Sequence, residues 1–131
     1  MKSVKTHHDL DVWKMSMEFI VDLYRITEHF PVQEKFGLVS QIRKAGVSIP
    51  SNIAEGASRT SSKEFRYFIS VALGSATELE TQLEIAFKLG LVISVEREME
   101  CLSKIRKMLI IMKRSIETKM NNETTIKSTH L

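Results

Sequence analysis

Arg43, Lys44, Arg59, Lys63 and Arg66 place five positive charges between Gln41 and Arg66, opposed there by Glu55 and Glu64. A second run, Lys104, Arg106, Lys107, Lys113, Arg114 and Lys119, meets Glu117 alone between Ser103 and Lys119. An acidic stretch carrying Glu78, Glu80 and Glu84 separates the two. Segregated basic runs of this kind can neutralise phosphates and release their counterions. The cluster at Arg59, Lys63 and Arg66 also surrounds an expected helix start, where a positive field adds to the helix dipole and favours an anion. The candidate phosphate contacts are Arg43, Lys44, Arg59, Lys63 and Arg66, joined by Lys107, Lys113 and Arg114. Tyr67 could stack on a base, but a lone aromatic at this position more often serves packing. The competing reading is a solvated charged face that keeps the protein in solution.

Other chemistries find no support. Di-iron bundles need Glu-x-x-His pairs on facing helices, and the chain contains no Glu-x-x-His. Its histidines, His7, His8, His29 and His130, fall at the termini or at a turn. His7 and His8 read as part of a polar leader. Glu80 and Glu84 share a helix face and read as a solvated acidic surface. Cys101 lies beside an apolar stripe and reads as a small buried hydrophobe, with no core histidine to serve as its base. No nucleophile elbow, P-loop or Rossmann turn is present. No metal, no cofactor and no enzymatic activity are expected.

The elements that must carry the basic residues follow from periodicity. A first helix is expected from about Asp9 to Phe30, capped by Asp9 or Asp11 and ended by Phe30-Pro31. Two apolar series share it: Leu10, Trp13, Met17, Ile20, Tyr24 and Thr27, and beside them Val12, Phe19, Leu23, Ile26 and Phe30. One stripe suffices for a bundle core, so two adjacent stripes point to a second buried contact. A second helix begins near Glu34 or Pro31, with Leu38, Ile42, Ala45, Ile49 and Ile53 as its stripe and Gly56 as its stop. A third opens on a capping box, Ser61 with Glu64, and continues through Phe65, Ile69, Ala72, Ala76, Leu79, Leu83 and Ala86 to Gly90. Gly74 and Ser75 read as small residues that admit a neighbouring backbone. A fourth follows Ser94 and packs Met99, Leu102, Ile105, Leu109, Met112 and Ile116, with Met108, Ile110 and Ile111 widening the stripe.

Short connections make consecutive helices antiparallel. The expected fold is all-α, an antiparallel up-down-up-down four-helix bundle over residues 1–120, followed by a polar disordered tail over 121–131. One cysteine permits no internal disulfide, no apolar run reaches the roughly 18 residues of a membrane span, and the opening residues lack a signal-peptide core. These features point to the cytoplasm and away from a membrane.

Pro50 stands inside the second helix, where proline removes a backbone hydrogen bond and costs about 3 kcal/mol. Such a residue bends the helix, and Ser48 and Ser51 offer hydroxyls near the freed carbonyl. Asn52 and Glu55 beside it read as a structural polar cluster, with Arg43, Arg59 or another subunit supplying partners for the carboxylate.

The run GLVSQIRKAGVSIPSNIAEGASR, followed by KEFRYFISVALGSATELETQLEIAFKLG, closely resembles the bacterial four-helix-bundle family first noticed as proteins encoded by 23S rRNA intervening sequences. LDVWKMSMEFIVDLYRITEHFP resembles its first helix, and the similarity spans about Asp9 to Ile116. Gly46 departs from a position where the family often has alanine. The resemblance implies a ribosomal-protein-like antiparallel bundle that assembles as a homopentamer, which would bury the second stripe of the first helix and the wide one of the fourth. A distantly similar group serves diversity-generating retroelements as accessory variability proteins, where a basic pentamer engages RNA and a reverse transcriptase. The expectation is therefore a non-enzymatic homopentamer that binds nucleic acid, RNA above DNA, through basic patches. The alternative is a scaffold or accessory subunit for a polymerase-type protein.

Overall fold

The computed structural model describes residues 6–7 and 10–129, with side-chain surroundings through residue 123. Four helices follow one another: α1 (Asp11–Glu28), α2 (Leu38–Ala57), α3 (Ser62–Lys88) and α4 (Glu96–Thr129), with a 3-10 turn at Val32–Glu34 before α2. They form an antiparallel four-helix bundle in which α2 and α3 pack most extensively and α1 and α4 least.

Local chemistry sets both ends of α3 and the start of α4. The Ser61 hydroxyl accepts from the Glu64 N–H at 3.2 Å and donates to the Glu64 carboxylate at 3.1 Å, so the expected cap of α3 forms. Gly90 adopts φ +76°, and Leu91 N–H donates to Ala86 O while Gly90 N–H donates to Phe87 O. That paired arrangement satisfies the last carbonyls of α3 and requires the left-handed backbone that glycine supplies. Ser94 Oγ accepts from Glu96 N–H at 3.2 Å at the start of α4.

Several boundaries differ from the sequence reading. At α1 the N-cap position is Leu10, with no side-chain cap; Asp11 sits inside the first turn and Asp9 lies outside the described residues. α2 starts at Leu38, because Pro31 and the 3-10 turn form a separate corner before it. α4 does not stop at Asn121 but runs on to Thr129. Residues 121–129 contain neither proline nor glycine, so nothing in the backbone interrupts the helix; residues 130 and 131 lie outside the described region.

The core is built from Ile42, Ile49 and Ile53 of α2, Ile69, Leu79 and Leu83 of α3, and Leu102, Ile105 and Leu109 of α4, all essentially inaccessible. On α1 the buried face is Val12, Ser16, Phe19, Leu23 and Thr27. The series beginning at Leu10 and Trp13 is divided: Met17 and Tyr24 are exposed, Leu10, Trp13 and Ile20 are half-buried, and Thr27 turns into the core. Ser16 and Thr27 occupy core positions because each hydroxyl donates to a carbonyl one turn back, Val12 O and Leu23 O, both at 2.7 Å. Their polarity is thereby satisfied inside the helix.

Glycine permits two close approaches. A Cβ at Gly56 would stand 2.9 Å from Phe68 Cβ and 3.3 Å from Phe65 O. Gly56 is therefore a packing residue within α2, not its stop. A Cβ at Gly46 would stand 2.7 Å from Leu23 Cδ1, where α1 crosses α2. Gly74 has no such role: it faces open space on α3.

Candidate nucleic-acid interface

The α2–α3 turn sets Arg59, Lys63 and Arg66 at one end of the bundle. Antiparallel order brings the later part of α4 to the same end. Arg66 Nη1 lies 3.9 Å from Glu117 Oε2 of α4. Lys113 and Arg114 stand one turn before Glu117 on that helix. Five of the expected phosphate contacts, Arg59, Lys63, Arg66, Lys113 and Arg114, thus gather around one end.

The other three do not join them. Arg43 and Lys44 lie roughly 20 Å back along α2 from its end, and Lys107 lies about 15 Å before Glu117 and about 9 Å before Lys113 on α4, at 1.5 Å per residue. Arg43 is moreover engaged with α1. Its guanidinium covers the Tyr24 ring, Nε donates to Thr27 Oγ1 at 2.9 Å, and Nη2 donates to Tyr24 O at 3.3 Å. It ties α2 to the end of α1, a role that periodicity could not reveal because its partners are sixteen or more residues away.

Arg59 is shared among several partners. It pairs with Glu55 one turn earlier on α2, and its guanidinium carbon lies 5.0 Å from the centroid of the Phe68 ring. Phe68 in turn meets Tyr67 edge-on, with centroids 5.2 Å apart and planes at 77°. Tyr67 is 63% exposed. Exposed ion pairs such as Arg59–Glu55 and Arg66–Glu117 contribute at most about 1 kcal/mol, so a phosphate can compete for either arginine.

The expected polar cluster takes a different form. Asn52 Nδ2 donates to Ser48 O at 2.7 Å and to Ser48 Oγ at 2.9 Å. Ser48 Oγ meets Ser75 Oγ of α3 at 2.7 Å. Glu55 stands outside this group, half exposed and facing Arg59. The cluster is therefore Ser48, Asn52 and Ser75, an α2–α3 bridge beside buried Pro50. Ser75 belongs to it through a hydrogen bond, not through mere smallness.

Gln82 is a polar residue that the sequence reading missed. It is buried in the core face of α3 and donates from Nε2 to Glu78 Oε1 at 3.2 Å, while its Oε1 has no hydrogen-bond partner. Arg106 crosses from α4 to pair with Glu80 and to reach Thr77 at 3.3 Å, so the acidic face of α3 is partly neutralised by α4.

Cys101 is half-buried, at a 390 Å³ recess in the α1–α4 seam that it shares with Asp22, Arg97 and Glu98. Burial, reinforced by the Asp22 carboxylate, pushes its thiol up from the ordinary range. That shift withholds the thiolate which nucleophilic chemistry needs. His7 packs edge-on against Trp13 with centroids 5.0 Å apart; His8 and His130 lie outside the described residues. Among the described residues no group of three or more His, Cys, Asp or Glu is placed to hold a metal ion, and no helix is long and apolar enough to cross a membrane.

The fold is an all-helical bundle in which five of the eight candidate phosphate contacts lie around the α2–α3 turn and the part of α4 beside it. The chain belongs to the 23S rRNA-intervening sequence protein family, whose profile matches residues 8–112. Among solved structures it is similar to a protein of unknown function from the S23 ribosomal protein family of Bacteroides thetaiotaomicron. The two share 27% identity over 79% of this chain and 95% of that one, with a TM-score of 0.70. No curated protein matches the chain. Neither the family nor the solved structure indicates an enzymatic activity.

Proposed function

We propose that this protein is a non-enzymatic homopentamer that binds nucleic acid, with RNA preferred, through the basic end formed by the α2–α3 turn and the later part of α4. The observation that carries the reading is the gathering of Arg59, Lys63 and Arg66 with Lys113 and Arg114, which lie far apart in sequence. RNA is set above DNA by the distant likeness to basic pentamers that engage RNA; the family description itself names no ligand. Five copies of a modest patch bind with an avidity that one copy lacks.

Assembly is supported by the apolar surface that one chain leaves uncovered. Met17, Val21 and Tyr24 of α1 and Val47 of α2 are each at least 40% exposed, and Phe36 at the corner before α2 is 90% exposed. Contiguous apolar surface of this kind marks an interaction site. Light scattering at micromolar concentration should report a pentamer, and a monomer refutes that part of the reading.

Binding of a structured RNA, measured at two salt concentrations, tests the ligand. Affinity should fall steeply as salt rises, because each neutralised phosphate releases counterions. Replacing both Lys63 and Arg66 by alanine should flatten the salt slope by about one unit for each phosphate left without its cation. Absence of binding at low salt refutes it.

A second reading, a scaffold for a polymerase-type protein, rests on an 820 Å³ groove between α1, α3 and α4. Leu10, Phe65, Met108, Ile111, Met112 and Ile116 line it. Affinity purification that recovers one protein partner, unchanged by nuclease treatment, favours this reading over the first.

A further inference from the structure

We infer that the Tyr67 end of the bundle takes an unpaired base, so that the nucleic acid bound there is single-stranded; this rests on the nucleic-acid reading above. Four observations carry it. Tyr67 is 63% exposed although it is a large aromatic on the second turn of α3. Its ring is not loose, because Phe68 meets it edge-on at 5.2 Å. Arg59 lies over the same Phe68 at 5.0 Å, so a cation and two aromatic rings form one connected surface. Lys63 lies one helical turn before Tyr67 on the same face of α3.

A π-face beside a cation, with a second cation one turn away, matches what a nucleotide presents: a flat base and a phosphate. Stacking on an aromatic side chain needs an exposed base face, which a loop, bulge or free strand provides and a continuous duplex does not. Arg59 and Lys63 would then hold phosphates flanking the stacked base. A purely electrostatic patch needs no exposed tyrosine and would bind duplex and single strand through their phosphates alike.

The test measures binding of one mixed-sequence labelled oligoribonucleotide, offered as a single strand and annealed to its complement. The wild-type protein, Tyr67→Phe and Tyr67→Ala are compared, and a deoxy version of the strand separates RNA from DNA as the source of the base. The expected result is preference for the single strand, retained in Tyr67→Phe and reduced roughly tenfold in Tyr67→Ala. Light scattering should be unchanged in both variants; melting temperature should be unchanged in Tyr67→Phe and fall by no more than a few degrees in Tyr67→Ala, which loses the contact with Phe68. Binding that is equal for strand and duplex and indifferent to Tyr67→Ala overturns the inference and leaves the basic-patch reading standing. A change of assembly state in Tyr67→Ala also overturns it, because the ring would then belong to a contact between copies. No binding of any form by the wild type overturns the nucleic-acid reading itself.

Discussion

Arg43 holds its guanidinium carbon 4.3 Å from the centroid of the Tyr24 ring, so a basic residue of α2 closes over the outer face of α1. The same side chain donates to Thr27 Oγ1, whose own hydroxyl donates to Leu23 O. The three contacts form a chain from α2 into the backbone of α1. Arg43→Ala should therefore lower stability by about 1–2 kcal/mol, the combined size of a cation–π contact and a hydrogen bond. Arg43→Lys should recover only part of this, because an ammonium lacks the planar fork. Thermal unfolding measures both. RNA affinity should stay within about twofold of wild type in a folded Arg43→Ala, since the residue stands away from the basic end; much weaker binding with unchanged melting would return Arg43 to the interface.

Two glycines in neighbouring helices should respond in opposite directions to alanine. At Gly56 the new Cβ meets Phe68 Cβ, Phe65 Cδ1 and the Phe65 carbonyl within 2.9–3.3 Å. One of these is backbone and cannot swing aside, so α2 and α3 must part. Gly56→Ala should cost roughly 1–3 kcal/mol through overpacking, partly offset by better helix propensity. At Gly74 nothing lies within 4 Å, so Gly74→Ala should gain roughly 0.5–1 kcal/mol by restricting the unfolded chain. Denaturant midpoints of the two variants check the pair, and a stabilising Gly56→Ala would refute the close packing.

These contrasts show what the sequence could and could not convey. Helix number, order and the core stripes of α3 and α4 follow from spacing, and the Ser61 cap and Gly90 stop follow from local chemistry. On α1 the apolar series Val12, Phe19, Leu23 and Phe30 was legible and is buried; what apolarity hid is that this series is the inner one, since Ser16 and Thr27 join it by hiding their hydroxyls in their own helix while Met17 and Tyr24 remain outside. Glu55 and Asn52 are neighbours in sequence, yet Asn52 bonds to Ser48, and Ser48 in turn meets Ser75 of another helix. The basic residues were legible as a set; which of them share an end depends on antiparallel packing, and Arg43 is removed from the set by a contact sixteen residues distant.

Cys101 supplies a pH-dependent signature. Burial first, then the Asp22 carboxylate, raises its thiol above the ordinary range. Alkylation by iodoacetamide proceeds through the thiolate. Labelling of the folded protein at neutral pH should be slower than labelling of the urea-unfolded chain, and should accelerate only as pH passes the ordinary thiol range. The stability consequence has a fixed sign. The folded state favours the neutral thiol, so its contribution is fully present below the unfolded pKa and disappears as pH rises through the folded one. Labelling of the native protein at neutral pH as fast as a free cysteine would contradict the burial effect.

Gln82 offers the last test, because a buried amide oxygen without a donor is a cost the fold carries. The side chain is 5% exposed, its Nε2 reaches the exposed Glu78, and its Oε1 meets no partner. An unsatisfied buried acceptor costs about 1–3 kcal/mol, whereas an apolar side chain of similar shape carries no such penalty. Gln82→Met keeps the length and flexibility of the side chain while removing the amide. It should raise stability by roughly 1 kcal/mol, the desolvation penalty less the bond to Glu78. Glu78→Ala should by contrast lower stability by up to about 1 kcal/mol, since it takes from the buried Gln82 amide N–H its carboxylate partner. Chemical denaturation of both variants measures the difference. A destabilised Gln82→Met, with an unchanged dependence of unfolding on denaturant, would mean that the carbonyl has a donor after all.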